Sequence, residues 1–462
     1  MLPRLLARLL RTALVFLLVL AFLLLQLHSP APSAAPAGAE PSEGSSPSEP
    51  SSSPVSTAPP PPTTPLSPWL AGTVERLNDE QVVRAPGGGE PAPLQPSDVV
   101  IVIQVHTRLD YLRQLIGSLR AARGIETVLL VFSHDVFDEA VNAEVRRVDF
   151  CRFTQVFYPF SLQLHPHTFP GQSAQDCARD MTRDRAVKAG CVNALYPDKY
   201  GHYREARFTQ TKHHWWWKAN RVFDQLEFTK NHSGLFLFLE EDHYVAPDFL
   251  HVLQLMSEAR PQHCLHCNIL SLGTYLKVYN YRADTARVEL TQWYGSKHNM
   301  GMAFNRTTWR MLRSCTSLFC SFDDYNWDWS VQYISQTGCT GQKLHAMLIK
   351  APRVFHIGEC GVHHRGKNCD KFSLLKRVSA TLLSASRYLF PPRITAYLAI
   401  TRRLKLIKGN GGWGDPRDHY MCTTLRLPNS TWTWPEPRPE PIKAAAPAAA
   451  RRAWRRRGVP GS

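Results

Sequence analysis

The sequence predicts an α/β fold with a Rossmann-like, mostly parallel central sheet. Three stretches predict it: the β-branched run Asp98–His106, the helical pattern Leu109–Ala122 and the apolar run Val128–Phe132. A continuous run of Val and Ile suits a strand buried on both faces. Leu112, Leu115, Ile116 and Leu119 recur at helical spacing, and Gly124 stops the helix. Strand, helix and strand in so short a span form a βαβ unit, whose crossover is right-handed. In open sheets of this kind ligands bind outside the carboxyl ends of the strands. Those ends are Gln104–Arg108 and Ser133–Asp135.

Upstream, the apolar run Ala13–Leu25, extended by Leu9, Leu10 and Leu27, approaches the ~20 residues of a bilayer-spanning helix. Arg4, Arg8 and Arg11 precede it and no basic cluster follows, which leaves the N-terminus in the cytosol. The expectation is a cytoplasmic tail at 1–8 and a type II signal anchor at 9–28. The alternative is a cleaved signal peptide, with small residues at Ser33, Ala34, Ala35 and Ala37. Either way the body enters the secretory pathway. Residues 29–95 are rich in Pro, Ser and Ala, without amphipathic periodicity, and read as a disordered stem. The catalytic body is expected over 96–426 and a low-complexity basic tail over 427–462.

The formal charge is +16, which raises nucleic acid as a partner. Its placement argues against that: Arg451, Arg452, Arg455, Arg456 and Arg457 sit behind an Ala/Pro spacer, and no nucleic-acid-binding signature accompanies them. The eleven cysteines begin at Cys151, and sequons occur at Asn231, Asn305 and Asn429. Both suit a lumenal domain. The odd count leaves at least one thiol without an intrachain partner. Cys264/Cys267 and Cys360/Cys369 are plausible local bridges. Cys264-Leu-His-Cys267 also reads as half a zinc site, but no second C-x-x-C completes four ligands.

A third strand, Gly234–Leu239, runs into Glu240-Glu241-Asp242-His243. Like charges so close repel unless a cation neutralises them, and hard divalent cations such as Mg²⁺ or Mn²⁺ suit oxygen ligands. The alternative is a solvated acidic turn. Further on, Asp323, Asp324 and Asp328 share an aromatic segment with Trp327 and Trp329. One of these acids is a candidate general base. Asp323 or Asp324 could instead cap a helix starting near Tyr325.

Several blocks carry a resemblance: Gln104-Val-His-Thr-Arg108, Phe132-Ser-His-Asp135, Gly201-His-Tyr-Arg-Glu-Ala206, Gln210-Thr-Lys-His-His-Trp-Trp-Trp-Lys218, Leu239-Glu-Glu-Asp-His-Tyr244, Ser271-Leu-Gly-Thr-Tyr275, Asp323-Asp-Tyr-Asn-Trp-Asp-Trp329 and Gly411-Gly-Trp-Gly-Asp415. In order from about Val99 to Cys422, the chain resembles the alpha-1,6-mannosyl-glycoprotein 2-beta-N-acetylglucosaminyltransferase family (N-acetylglucosaminyltransferase II). The resemblance implies a GT-A fold in the Golgi membrane, UDP-N-acetylglucosamine as donor, Mn²⁺ as cofactor, and transfer with inversion to the 2-hydroxyl of the 1,6-arm mannose of N-glycans on glycoproteins. It implies donor binding by Gln104, Val105, His106, Thr107, Arg108, Asp135, Gln210, Thr211, Lys212, His213 and His214. It implies metal ligation by Asp242 and His356, and Asp328 as base. Without it, His356 would read as a strand-end histidine satisfied by a carbonyl. It also implies disulfides Cys177–Cys191, Cys264–Cys267, Cys315–Cys339, Cys320–Cys422 and Cys360–Cys369, leaving Cys151 free.

Two departures fall in the donor loop. Thr107 and Leu109 stand where the family's Q-V-H-N-R-P pattern has Asn and Pro, so the following helix lacks the preset φ of proline. An arginine expected soon after Ser271–Tyr275 is absent, with Tyr279 near that place. These departures motivate a second class of reading, a non-catalytic glycan-binding relative of the same fold.

Overall fold

A computed structural model of the chain describes residues 68–276, 278–358, 372–399 and 406–425. The expected anchor, the first part of the stem, the basic tail, Asn429 and the Cys360–Cys369 pair lie outside the described residues. Among the described residues no helix is long and apolar enough to cross a membrane.

The core is a mixed ten-stranded sheet in the order β1-β4-β3-β2-β5-β9-β7-β10-β8-β12. The four strands that set up the site are β4 (Arg152–Phe157), β3 (Leu129–His134), β2 (Val100–Val105) and β5 (Leu235–Glu240). They are mutually parallel. The β-branched runs explain them: Val100, Ile101, Val102 and Ile103 are fully buried, with Ile101 and Ile103 in one hydrophobic layer and Val100 and Val102 in the other. A strand with helices on both faces needs apolar side chains at every position. Helix Leu109–Arg120 returns the chain from β2 to β3, and Gly124, at φ 85°, turns it into the next strand.

From β2 the chain proceeds to β3 and β4 on one side, whereas β5 adds on the other. Strand order therefore reverses at β2/β5, and a crevice opens beyond their carboxyl ends. Gln104 and Glu240 are register partners at that point. The sheet continues through antiparallel β9 (Met302–Asn305), which pairs with β5 and with β7 (Cys267–Ser271). Beyond β7 lie β10 (His345–Ile349), β8 (Arg287–Gln292) and β12 (Thr395–Leu398). A separate two-stranded ribbon of β6 (His243–Val245) and β11 (Val354–His356) sets His243 opposite His356.

The stem boundary is corrected. Residues 68–95 belong to the body: helix Pro68–Glu80 and β1 (Val83–Arg84) dock on β4. Asn78 donates from Nδ2 to the Phe157 carbonyl at 2.7 Å and accepts its N–H at 2.8 Å, and Val74 packs with Phe157 and Leu164. Arg152 donates to the Ala92 carbonyl at 2.8 Å and pairs with Asp98, which anchors the proline run. The apolar face is only Leu70, Ala71, Val74 and Leu77. So narrow a stripe is submerged when its composition is averaged with the Pro/Ser-rich sequence before it.

Among the described residues four disulfides are present, Cys177–Cys191, Cys264–Cys267, Cys315–Cys339 and Cys320–Cys422, and Cys151 is free and buried. The Cys264–Cys267 bridge removes the zinc alternative. Of the sequons, Asn231 is exposed, while the Asn305 side chain accepts from the Thr308 N–H and caps helix Arg306–Ser314.

Candidate functional site

The acidic run after β5 divides into three jobs. Glu241 is buried, and its carboxylate accepts from the main-chain N–H of His106 at 2.7 Å and from Arg108 Nε at 2.8 Å. It thereby fixes the loop at the end of β2. Asp242 is buried too, with its Oδ2 2.8 Å from Arg108 Nη1 and 3.1 Å from His356 Nε2. Its Oδ1 is buried with no hydrogen-bond partner. Glu240 faces the buried Lys218, whose Nζ donates to Gln104 Oε1 at 2.6 Å.

An ionised carboxylate oxygen left bare in the interior is costly unless a cation serves it. Donor atoms of Glu240, Asp242 and His243 lie within 4.8 Å of one another. Burial would raise the Asp242 carboxyl, but the His356 hydrogen bond and the charges of His356, Arg108 and His243 hold it well below the usual carboxylate range. Burial pushes His243 down to about 3, so its imidazole is neutral, the form that ligates metal. Burial alone would lower His356, but the hydrogen bond and charge of Asp242 outweigh it and the pKa is raised. The donor set fits a divalent cation. Gly358 completes it: a Cβ there would fall against Asp242 Oδ2 and 3.1 Å from Arg108 Nη1.

On the other side of β2, His106 Nδ1 lies 2.6 Å from Asp135 Oδ1, and Gln210 Nε2 donates to Asp135 Oδ2 at 3.1 Å. Burial opposes ionisation of Asp135, but hydrogen bonds from His106 and His214 reverse it and leave the carboxyl strongly acidic. The same hydrogen bond raises His106. His214 is held from behind by Ser133 Oγ at 2.8 Å. Gln210, His214 and Lys218, four residues apart, share one face of helix Ala206–Asn220. Thr211 is exposed and lines the cleft.

Three of the expected donor residues do not turn their side chains to the cleft. Lys212 and His213 lie on other faces of that helix and are fully buried. Lys212 Nζ donates to the carbonyls of Phe322 and Asp324, and His213 Nε2 lies 2.9 Å from Asp418 Oδ1. Both bind the C-terminal half of the body and do not reach the donor loop. Val105 has its side chain in the core, so it offers main chain alone. Of the rest of the loop, Thr107 is exposed and Arg108 half-buried. Leu109 donates its N–H to the Thr107 carbonyl at 3.0 Å, a bond that proline at this position would forfeit.

Asp328 sits in the first turn of helix Trp327–Gln336 and lines a cleft of about 560 Å³ together with Glu240, His243, His356, Thr211, Tyr275, Asn299 and Trp329. Burial raises its carboxyl to about 7; the Trp329 N–H pulls it down, and the charges of Asp324 and Glu240 push it up again. Asp323 and Asp324 are occupied elsewhere. Asp324 accepts from the main-chain N–H groups of Asn326 and Asn410, and Asp323 from those of Lys199 and Trp413. They organise the loop before the helix, whose N-cap is Asn326. Trp215, Trp216 and Trp217 are all buried.

Sequence reasoning put the run Glu240–His243 forward as a cation site, and the resemblance named Asp242 and His356 as ligands; the structure adds the donor atoms of Glu240 and His243 beside Asp242. Glu241, read there as part of the cation site, instead holds the loop after β2, and Lys218 and Gly358 were missed; each acts through a neighbour distant in sequence.

The family model for N-acetylglucosaminyltransferase II matches residues 72–422. The alpha-1,6-mannosyl-glycoprotein 2-beta-N-acetylglucosaminyltransferase of Sus scrofa is 44% identical over 353 residues, covering 76% of this chain and 78% of its own. The enzymes of that name from Homo sapiens and Arabidopsis thaliana are 42% and 32% identical, over 76% and 70% of this chain and 78% and 74% of their own. Among solved structures, S. aureus TarS 1–349 in complex with UDP-GlcNAc aligns at 11% identity with a TM-score of 0.30 over 62% of this chain and 66% of that one, an overlap too slight to argue from. The extended match to the family model and to relatives from animals and a plant shows that this chain belongs to the N-acetylglucosaminyltransferase II family.

Proposed function

We propose that the protein transfers N-acetylglucosamine from UDP-N-acetylglucosamine, with inversion, to the 2-hydroxyl of the 1,6-arm mannose of N-linked glycans, converting hybrid to complex-type glycans. One observation carries the reading. A buried carboxylate with an elevated pKa, Asp328, shares one cleft with a carboxylate and imidazole cluster built to hold a divalent cation.

Asp242 and His356, with Glu240 and His243 beside them, would hold Mn²⁺, which as a Lewis acid neutralises charge on a departing diphosphate. Arg108 adds a fixed cation beside them. The ordered loop 104–108 and the Asp135–Gln210–His214 cluster would bind the nucleotide. Asp328 takes the proton of the acceptor hydroxyl as that oxygen bonds to the anomeric carbon. The bond from the anomeric carbon to the diphosphate oxygen breaks, and UDP leaves with the electron pair. Attack opposite the leaving group inverts the configuration. Trp329 offers an apolar wall to sugar C–H groups.

The apolar run near the N-terminus and its flanking arginines support anchorage as a single-pass type II protein of the Golgi membrane, with the body in the lumen. The test is UDP release from UDP-N-acetylglucosamine with a glycan bearing or lacking a free 1,6-arm mannose. Release that needs both Mn²⁺ and the free mannose supports the reading. Binding of glycan without release favours the non-catalytic relative.

A further inference from the structure

Asn299 follows helix Gly295–His298 and is half-buried at the wall of the cleft. Its Nδ2 donates to Asp328 Oδ2 at 3.2 Å, and its Oδ1 accepts from the Tyr275 hydroxyl at 3.0 Å. We propose that Asn299 is a positioning residue for the base: its amide, oriented by Tyr275, holds one oxygen of Asp328 and leaves the other for the acceptor hydroxyl. The inference rests on Asp328 being the base.

The orientation of the amide follows from donor and acceptor chemistry. An ionised carboxylate only accepts, so Asn299 must present Nδ2 to Asp328, and its remaining Oδ1 then needs a donor. Tyr275 supplies one. Burial, reinforced by the charges of Glu240 and Asp328, raises its phenol well above the ordinary value and keeps it protonated. A flipped amide would set two acceptors against each other.

The turn that carries Asn299 is fixed at both ends. Ser271 at the end of β7 donates to the His298 carbonyl at 2.8 Å, and the Gly295 N–H donates to Gln332 Oε1, on the base's own helix, at 2.9 Å. Gly295 permits the approach, since a Cβ there would lie 2.6 Å from the Asp328 carbonyl oxygen and 3.3 Å from its Oδ2. Tyr275 instead comes from the surface loop after β7, where it is half exposed beside exposed Leu276 and Val278. The relay joins a half-exposed aromatic at the cleft mouth to the proton-accepting group inside.

The groups around Asp328 come from four directions. Glu240 stands at the end of β5, His243 and His356 on the β6/β11 ribbon, Asp324 in the loop before the helix, and Tyr275 and Asn299 opposite. Lys297, on the same turn as Asn299, lies over the Tyr294 ring. Of these, Asn299 is the side chain that donates to the carboxylate.

The test measures kcat, both KM values and the pH dependence of turnover for Asn299→Ala, Asn299→Asp and Tyr275→Phe, with Asp328→Asn as reference. Losing a hydrogen bond to a charged group should lower kcat about ten- to a hundredfold and move the ascending limb up by roughly one pH unit, with KM for UDP-N-acetylglucosamine unchanged. Asn299→Asp should move the limb further, because it adds a like charge. Tyr275→Phe should give a smaller change in the same direction, and as a half-exposed site it keeps the inference testable if the Asn299 variants fold poorly. An unmoved limb in Asn299→Ala, with only the acceptor KM raised, overturns the inference and makes Asn299 a sugar contact. So does an unaltered kcat. Retained turnover in Asp328→Asn would instead remove the base assignment itself.

Discussion

The indoles of Trp215 and Trp327 stack with ring centroids 4.3 Å apart and planes 2° from parallel. Trp215 belongs to the helix that presents Gln210 and His214, and Trp327 opens the helix that presents Asp328. The stack therefore sets the spacing between the Asp135–Gln210–His214 cluster and Asp328. Lys212 strengthens the joint by donating to the carbonyls of Phe322 and Asp324 just before the helix that carries Asp328.

Trp215→Ala should cost roughly 3–5 kcal/mol of stability, the range for truncating a buried aromatic. Turnover should fall as well, because the two walls lose their common reference. Denaturant unfolding with the disulfides intact reads the first, and single-turnover kinetics the second. A loss of stability with full turnover would separate the stack from the chemistry.

Asp328→Asn should lower kcat by about 10²- to 10⁴-fold, the contribution of a positioned general base. Binding of UDP-N-acetylglucosamine, measured by calorimetry with Mn²⁺ present, should be preserved.

In the wild type, turnover should rise with pH through about 7, the pH at which burial leaves the Asp328 carboxyl, and level off above it. Stability should run the other way. The folded pKa lies above the ordinary carboxyl value of 3.8, so the group's contribution is complete at acid pH and is lost as pH rises through about 7. Asp328→Asn should flatten that part of the stability profile. A wild-type rate profile that is level across neutrality would contradict the assignment.

Asp242→Asn should weaken Mn²⁺-dependent donor binding. Gly358→Ala should do the same with every ligand residue retained, since its Cβ would displace Asp242 Oδ2 and Arg108. Equilibrium titration of the metal in the presence of UDP checks both.

Removing residues 1–95 should destabilise the body, whereas removing 1–67 should not, because Asn78 closes the edge of β4 and Val74 packs on Phe157. Thermal melts of the two truncations decide it; equal melting temperatures would restore the longer stem.

The parallel half of the sheet was legible because buried strands announce themselves as β-branched runs: Val100–Val105, Leu129–His134 and Leu235–Glu240 were visible to within two residues. Helix Pro68–Glu80 was not, since four apolar side chains within a Pro/Ser-rich context give no compositional signal. In the site, the acidic run after β5 showed that a cation was plausible. Which carboxylate does what depended on where Arg108, Lys218 and His356 arrive, and those positions are set by the register of β2, β5 and the β6/β11 ribbon. Lys212 and His213 shared a motif with Gln210 and His214, but a helix turns residues one apart by about 100°. Proximity in sequence there meant separation in space.

The most direct measurement of the central claim is the structure of the product. Protein incubated with UDP-N-acetylglucosamine, Mn²⁺ and a hybrid N-glycan bearing N-acetylglucosamine on its 1,3 arm should add a single N-acetylglucosamine, and NMR should show it β-linked to the 2-oxygen of the 1,6-arm mannose. An α-linkage, attachment to another hydroxyl, or no product with or without Mn²⁺ would contradict the account.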